Sequence, residues 1–502
     1  MCQYRIVDYS IDNLCQIISD ENRISISSLK QKLHIVYLES YFNELNAKTI
    51  VVEKDYIDKD YSEDYAAYYA RSFKPYKRTC VRLHFFSRRF DKSSFEPILT
   101  NNSEIELTND YVGFIVVKPL PQTILGRTCL RTYPNVGARF FNFIRPYKVN
   151  LYGLELSVDS IAYQEQDSIV AACASSAIWS AFQATGLLFQ HSIPSPVEIT
   201  KAATIHFPYA NRHFPNKGLN SEQMAHAIRN VGLDPFLITA VNYDIIKATT
   251  YAYQRAKIPM VLGFMLSNFV KGIDIGRHAV TITGYRMGVN RSGFVGQDFY
   301  LKSSKIEKLY CHDDQVGPFA RMEFSRADNR LTTSWMDESK YIGNIVAKPE
   351  IIIIPLYHKI RIPFEIILNI VYRIDGLFKL IKTNVAFNNG LNINEIEWDI
   401  FLNSNNDFKS EIRLSGELNE ADKLVVLTNG LPKYIWRAIG SIDDEKIEFI
   451  FDATDIEQGE IFIRLVPYSQ NLTLLMKTIA NNINIDDIES IQLAKIFRAL
   501  RS

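Results

Sequence analysis

A chain of 502 residues, 47% of them hydrophobic and 22% charged, is too long for one ordinary core and predicts two or three folded domains rather than a disordered polymer. Its 56 Lys and Arg balance 56 Asp and Glu, which excludes a global field that would draw it to nucleic acid or an anionic membrane. Six cysteines (Cys2, Cys15, Cys80, Cys129, Cys173, Cys311) form no CxxC pair, which argues against a zinc ribbon and a disulfide scaffold.

In chain order, residues 1–150 predict a mixed α/β domain of unassigned role. The opening MCQYRIVDYSIDN has no basic-then-apolar leader, so a cytoplasmic location is expected. LHIVYLES, from Leu33 to Ser40, reads as a strand entering a helix, and Asp55 to Tyr76 as a charged helix or excursion. The β-branched and aromatic runs Cys80–Ser87 and Asp110–Pro121 predict strands. Arg127, Arg131 and Arg139 alternate with apolar residues as in a sheet, and Gly126 alone makes no phosphate loop.

Residues 151–349 change character. CASSAIWSAFQATGLL predicts a buried helix anchored by Trp179, and residues 206–218 a proline-shaped surface loop. GLNSEQMAHAIRNVGLDPF predicts a helix capped by Asn220 and ended by Gly232. KIPMVLGFML and RHAVTITGYRM predict core strands. Residues 350–502 predict an α/β region: the greasy stretch from Ile351 is too interrupted to span a bilayer and reads as two strands or a strand and a helix. KIEFIFDATD and EIFIRLVPY read as strands, with a closing helix pair. Trp436, Arg437, Asp452 and Asp455 fall near strand ends, where solvated turns are the expectation.

The chemistry concentrates in the middle. A thiol at a helix start is favoured as thiolate by unpaired N–H groups, and the small residues Ala171 to Ser176 let a helix begin tightly at Cys173. Upstream, Gln164 and Gln166 each offer an amide donor for a tetrahedral oxyanion. His278 heads the apolar run of IGRHAVTITGYRM, where a loop hands over to a strand, and is a candidate general base. Asp313 and Asp314, before Gly317 and Pro318, are candidates at a strand end to orient that imidazole, with turn chemistry the plainer reading for either alone. Cys311 and His312 lack a partner spacing for metal.

The order Gln, Cys on a helix start, His-Ala-Val on a strand, then Asp resembles the papain-like cysteine peptidases, closest to the C39-like branch, over about Leu151 to Met322. The resemblance implies a papain-like α+β core with Cys173 as nucleophile, His278 as base, Asp313 as orienter and Gln166 as oxyanion donor; Asp314 and Gln164 are the alternates. Three departures stand out. Ala174 follows the cysteine where the family has Gly, Gln166 lies seven residues before it, and the interval of 35 residues between His278 and Asp313 holds an insertion expected to form a hairpin over the cleft. The expected activity is a bacterial cysteine protease cutting peptide or isopeptide bonds of a protein or peptide substrate, with no cofactor or metal and with neither nucleic acid nor membrane as partner. An acyltransferase or amidase using the same thiol, and an inactive interaction scaffold, are the other readings.

Overall fold

The computed structural model describes residues 4–101, 104–134, 137–167, 172–205, 218–240, 242–325, 330–383, 396–442, 445–457, 459–485, 488 and 490–501. The 206–218 loop, apart from Gly218, and Ala171 lie outside the described residues. The chain divides into two compact units: Met1–Val241 with Ile258–Met287 and Glu307–Pro355, and Asn242–Lys257 with Gly288–Ile306 and Leu356–Ser502.

The first unit begins with β1 (Tyr4–Asp8) and three helices, α1 (Ile11–Asn22), α2 (Ile26–Gln31) and α3 (Leu33–Glu44). Ser10 and Ser25 cap α1 and α2 by accepting the N–H of Asn13 and Ser28. LHIVYLES is therefore helical throughout, contrary to the strand expected there. Ile35, Leu38, Tyr41 and Phe42 are buried at three- and four-residue spacing, so helical periodicity prevails over a β-branched composition. The strands β2 (Thr49–Tyr56), β3 (Cys80–Phe86), β4 (Tyr111–Val117) and β5 (Leu125–Leu130) join β1 in an antiparallel sheet of order 1-2-3-4-5. Between β2 and β3 lie α4 (Lys59–Ala67), capped by Asp58, and a 3-10 turn at Tyr69–Arg71; between β3 and β4 lie α5 (Lys92–Asn101) and α6 (Glu104–Asp110).

β6 (Arg139–Phe140) leads to a hairpin of β7 (Arg145–Leu151) and β8 (Leu154–Ser160), turning through Tyr152 and Gly153, both at positive φ. The border expected after residue 150 thus falls inside a hairpin strand. Three helices follow: α7 (Cys173–Phe189), α8 (Pro196–Thr204) and α9 (Ser221–Asn230), the last carrying the Asn220 capping box with Gln223. The second sheet contains β9 (Asp234–Thr239), β10 (Met260–Asn268), β11 (Ile273–Met287), β13 (Ile306–Asp313), β14 (Gly317–Phe324), β15 (Leu331–Thr332) and β16 (Ile345–Leu356). Its order is 10-11-13-14-15-16-9, β6 pairs with β11, and an added β10–β16 pairing closes six strands into a ring. One continuous core passes from Val51 and Tyr61 through Ile178 and Trp179 to Val261 and Ile353, so residues from both sides of position 150 share it.

The second unit holds α10 (Tyr243–Gln254), β12 (Tyr300–Leu301), α11 (Phe364–Thr383), α12 (Asn405–Leu414) and α13 (Glu420–Thr428), and it ends in the expected helix pair, α14 (Gln470–Asn482) and α15 (Ile491–Arg501). Its sheet has the order β12, β17 (Glu397–Ser404), β18 (Tyr434–Ile442), β19 (Glu445–Asp452), β20 (Phe462–Val466). The interval after His278 therefore does not form the expected hairpin over a cleft: Tyr300 and Leu301 pair in parallel with Glu397 and Trp398 as the edge of this sheet. Arg437, fully buried in β18, is held by Glu448 and Glu411, while Asp452 accepts from Thr454 in a turn. Among the described residues no helix is long and apolar enough to cross a membrane.

Candidate active site

Cys173 is the first residue of α7, preceded by Ala172 as a cap without a side-chain acceptor. The N–H groups of the first turn thus lack intrahelical partners and their dipole faces the sulfur. From Ala174 to Thr185 the helix is buried on every side, which suits its small residues. Thr281 of β11 donates its hydroxyl to the Ala177 carbonyl at 2.6 Å. Ala177 is one turn into α7 and Thr281 is three residues beyond His278, so this bond ties the helix that begins at Cys173 to the strand that carries the histidine.

His278 lies within β11, opposite Phe264 of β10, rather than at a loop-to-strand junction as expected. The Phe264 and Trp335 rings meet the imidazole edge-on at 5.6 and 5.3 Å. The Cys173 side chain is among the groups that act on the His278 imidazole and raise its pKa. On its other face His278 Nε2 is 2.9 Å from Asp313 Oδ1 and 3.5 Å from Asp314 Oδ1. With Nε2 engaged by the acid, Nδ1 is the nitrogen left for the thiol.

Asp313 ends β13, and the turn to Gly317 returns the chain into β14. Its Oδ2 accepts the Trp335 indole N–H at 2.7 Å, and its Oδ1 accepts the Gln315 backbone N–H at 3.1 Å. Asp314 is farther from the imidazole, and its Oδ1 has no hydrogen-bond partner among the described residues. Of the two candidates, Asp313 is the one built into the histidine's hydrogen bonds.

The electrostatics follow from burial and neighbours. Burial alone pushes the His278 pKa down, but the Asp313 and Asp314 carboxylates, the Asp313 hydrogen bond and the Cys173 side chain together hold it well above its ordinary value. Burial pushes Asp313 up, yet the His278 charge and the donors from His278, Trp335 and Gln315 bring it below the usual carboxylate range. Asp314, desolvated and beside Asp313, is pushed up to about 6. His312, next in sequence, is a different kind of histidine. It is buried between the Ile161 carbonyl and the Phe319 N–H, and burial pushes its pKa down to about 3.

The two glutamines diverge. Gln166 is half-buried, with its backbone carbonyl accepting from Thr123; Gln164 is buried, and both polar atoms of its amide are without partners among the described residues. Among the described residues neither amide hydrogen-bonds Cys173 or His278. Trp335 escaped the sequence reading because an isolated tryptophan in TTSWMDE has no spacing signal; only the rule that a half-buried indole N–H finds an acceptor points to it.

As donors for a metal, His278, Asp313 and Asp314 offer atoms within 4.8 Å of one another, the one such grouping among the described residues. A proton held between Nε2 and Asp313 competes with a cation for the same lone pairs. Chemically, the arrangement pairs a thiol at a helix start with a buried imidazole whose far side is held by a carboxylate. No protein-family model matches this chain, and no curated protein does either.

Proposed function

We propose that this chain is a cysteine hydrolase with a papain-like core, acting on peptide or isopeptide bonds of a protein or peptide substrate. The single observation that carries the reading is the His278–Asp313 hydrogen bond, with the Cys173 side chain among the groups acting on the same imidazole. In this reading Cys173 attacks the carbonyl carbon and His278 takes the thiol proton. His278 returns that proton to the leaving amine, and water then attacks the thioester as His278 takes up its proton and passes it to the departing Cys173 sulfur. Asp313 fixes the ring orientation and stabilises the imidazolium, with the Trp335 indole holding the carboxylate in place. The half-buried position of Cys173, against the buried Cys15, Cys80, Cys129 and Cys311, suits a thiol that meets substrate. The unpartnered amide of Gln164 supports it, over Gln166, as the side-chain donor to the oxyanion.

The test is labelling with a peptide carrying an electrophile in place of the scissile carbonyl, the adduct being located by mass spectrometry. The wild-type chain is expected to carry one adduct on Cys173, Cys173→Ala none, and His278→Ala far less at equal exposure. Modification spread over several cysteines, or equal in wild type and His278→Ala, sinks the reading.

A further inference from the structure

We infer that Tyr69 and His34, both in the layer that precedes residue 150, are positioning residues for the thiol–imidazole site; this rests on the cysteine-hydrolase reading. Two backbone segments serve that site, and the amino-terminal elements grip both.

The first is Tyr163 to Asp167, which leads to Cys173. Tyr163 exchanges two backbone hydrogen bonds with Thr128, at 2.8 and 2.9 Å. Glu165 Oε2 accepts the N–H groups of Ile124 and Leu125, each at 2.8 Å. Asp167, six residues before the nucleophile and 2% exposed, accepts the Tyr69 hydroxyl at 2.6 Å. The second segment carries the acid. His34 of α3 bonds the Asp314 backbone carbonyl through Nε2 at 2.9 Å, and Tyr37 donates to the Pro318 carbonyl at 2.6 Å.

A buried carboxylate that loses a charge-assisted donor must move or take up a proton. A shift of the Asp167 carboxylate is carried into the stretch of chain that leads towards Cys173. At the other segment, release of the Asp314 carbonyl frees the turn that aims Asp313 at His278. Displacement of a reacting group by about 1 Å costs on the order of 100-fold in rate.

The experiment measures the alkylation rate of Cys173 across pH in the full chain, together with the melting temperature. Variants are Tyr69→Phe, His34→Ala and His34→Gln, whose amide N–H can still donate to a carbonyl. Tyr61→Phe is the control, because it removes a part-buried tyrosine hydroxyl bond from the same region whose acceptor, the Lys77 carbonyl, lies in neither segment. Tyr69→Phe and His34→Ala are expected to react about 10-fold more slowly than Tyr61→Phe at matched stability, with His34→Gln recovering most of the rate. Rates and pH profiles equal to those of Tyr61→Phe overturn the inference while a His278-dependent wild-type rate leaves the hydrolase reading standing. A wild-type rate indifferent to His278→Ala removes both.

Discussion

His278 shows how neighbouring groups can outweigh burial in favour of the imidazolium form. Desolvation works against the cation, and two carboxylates on one side with a thiol on the other outweigh it. The sign is definite: a raised histidine pKa contributes stability that is fully present below about 6.5, its ordinary value, and is lost as pH rises through the folded value. Asp313→Asn removes the nearer carboxylate, so burial then faces only Asp314 and the Cys173 side chain. The His278 pKa is expected to fall, read by NMR titration of its ring proton, and the melting temperature to lose part of its decline with rising pH. An unchanged titration contradicts the assigned cause. At this scale the choice of Asp313 came from its hydrogen bond, and the meeting of His278 with an acid of the Asp313–Asp314 pair was legible from residue type and order. Trp335 and the choice between Gln164 and Gln166 were not, because an amide's orientation depends on the path of the surrounding chain.

At the scale of elements, the turn from Asp313 to Gly317 is set by steric demand. Gly317 has φ +156, and a Cβ there would lie 2.3 Å from Cδ1 of Tyr37. Gly317→Ala is expected to cost roughly 1–3 kcal/mol, measured by denaturant unfolding, and to slow Cys173 alkylation by loosening the acid's support. A variant of wild-type stability and rate would show that the turn tolerates a side chain. The same scale holds the clearest misreading. LHIVYLES reads as a strand entering a helix, yet α3 takes in all of it and buries Ile35, Leu38, Tyr41 and Phe42 at helical spacing. Asp55 to Tyr76 reads as a charged helix or excursion, and its Asp58, Asp60 and Asp64 are all buried. Arg127 and Lys118, the cations that compensate them, come from β5 and the end of β4, distances in sequence that no local pattern reports.

For the molecule as a whole, composition bounded the number of units but not their borders. Strand-forming runs such as Cys80–Phe86 and Tyr111–Val117 were legible because their apolar content exceeds what a solvated segment carries. The border at 150 was not, because β7 and β8 form one hairpin and the core joins Val51 and Phe114 to Trp179 and Ile353. Residues 151–349 expressed alone are therefore expected to lack a cooperative thermal transition, since that core and the Thr128–Tyr163 bridge lose one side. A folded, thermally cooperative 151–349 fragment would contradict a shared core.

The most direct test of the central claim, that Cys173 shares its proton with His278, is the alkylation rate of Cys173 by iodoacetamide at neutral pH in wild type and in folded His278→Ala. A positioned base contributes on the order of 100-fold, and a loss of about that size is expected. Equal rates in the two proteins would contradict it.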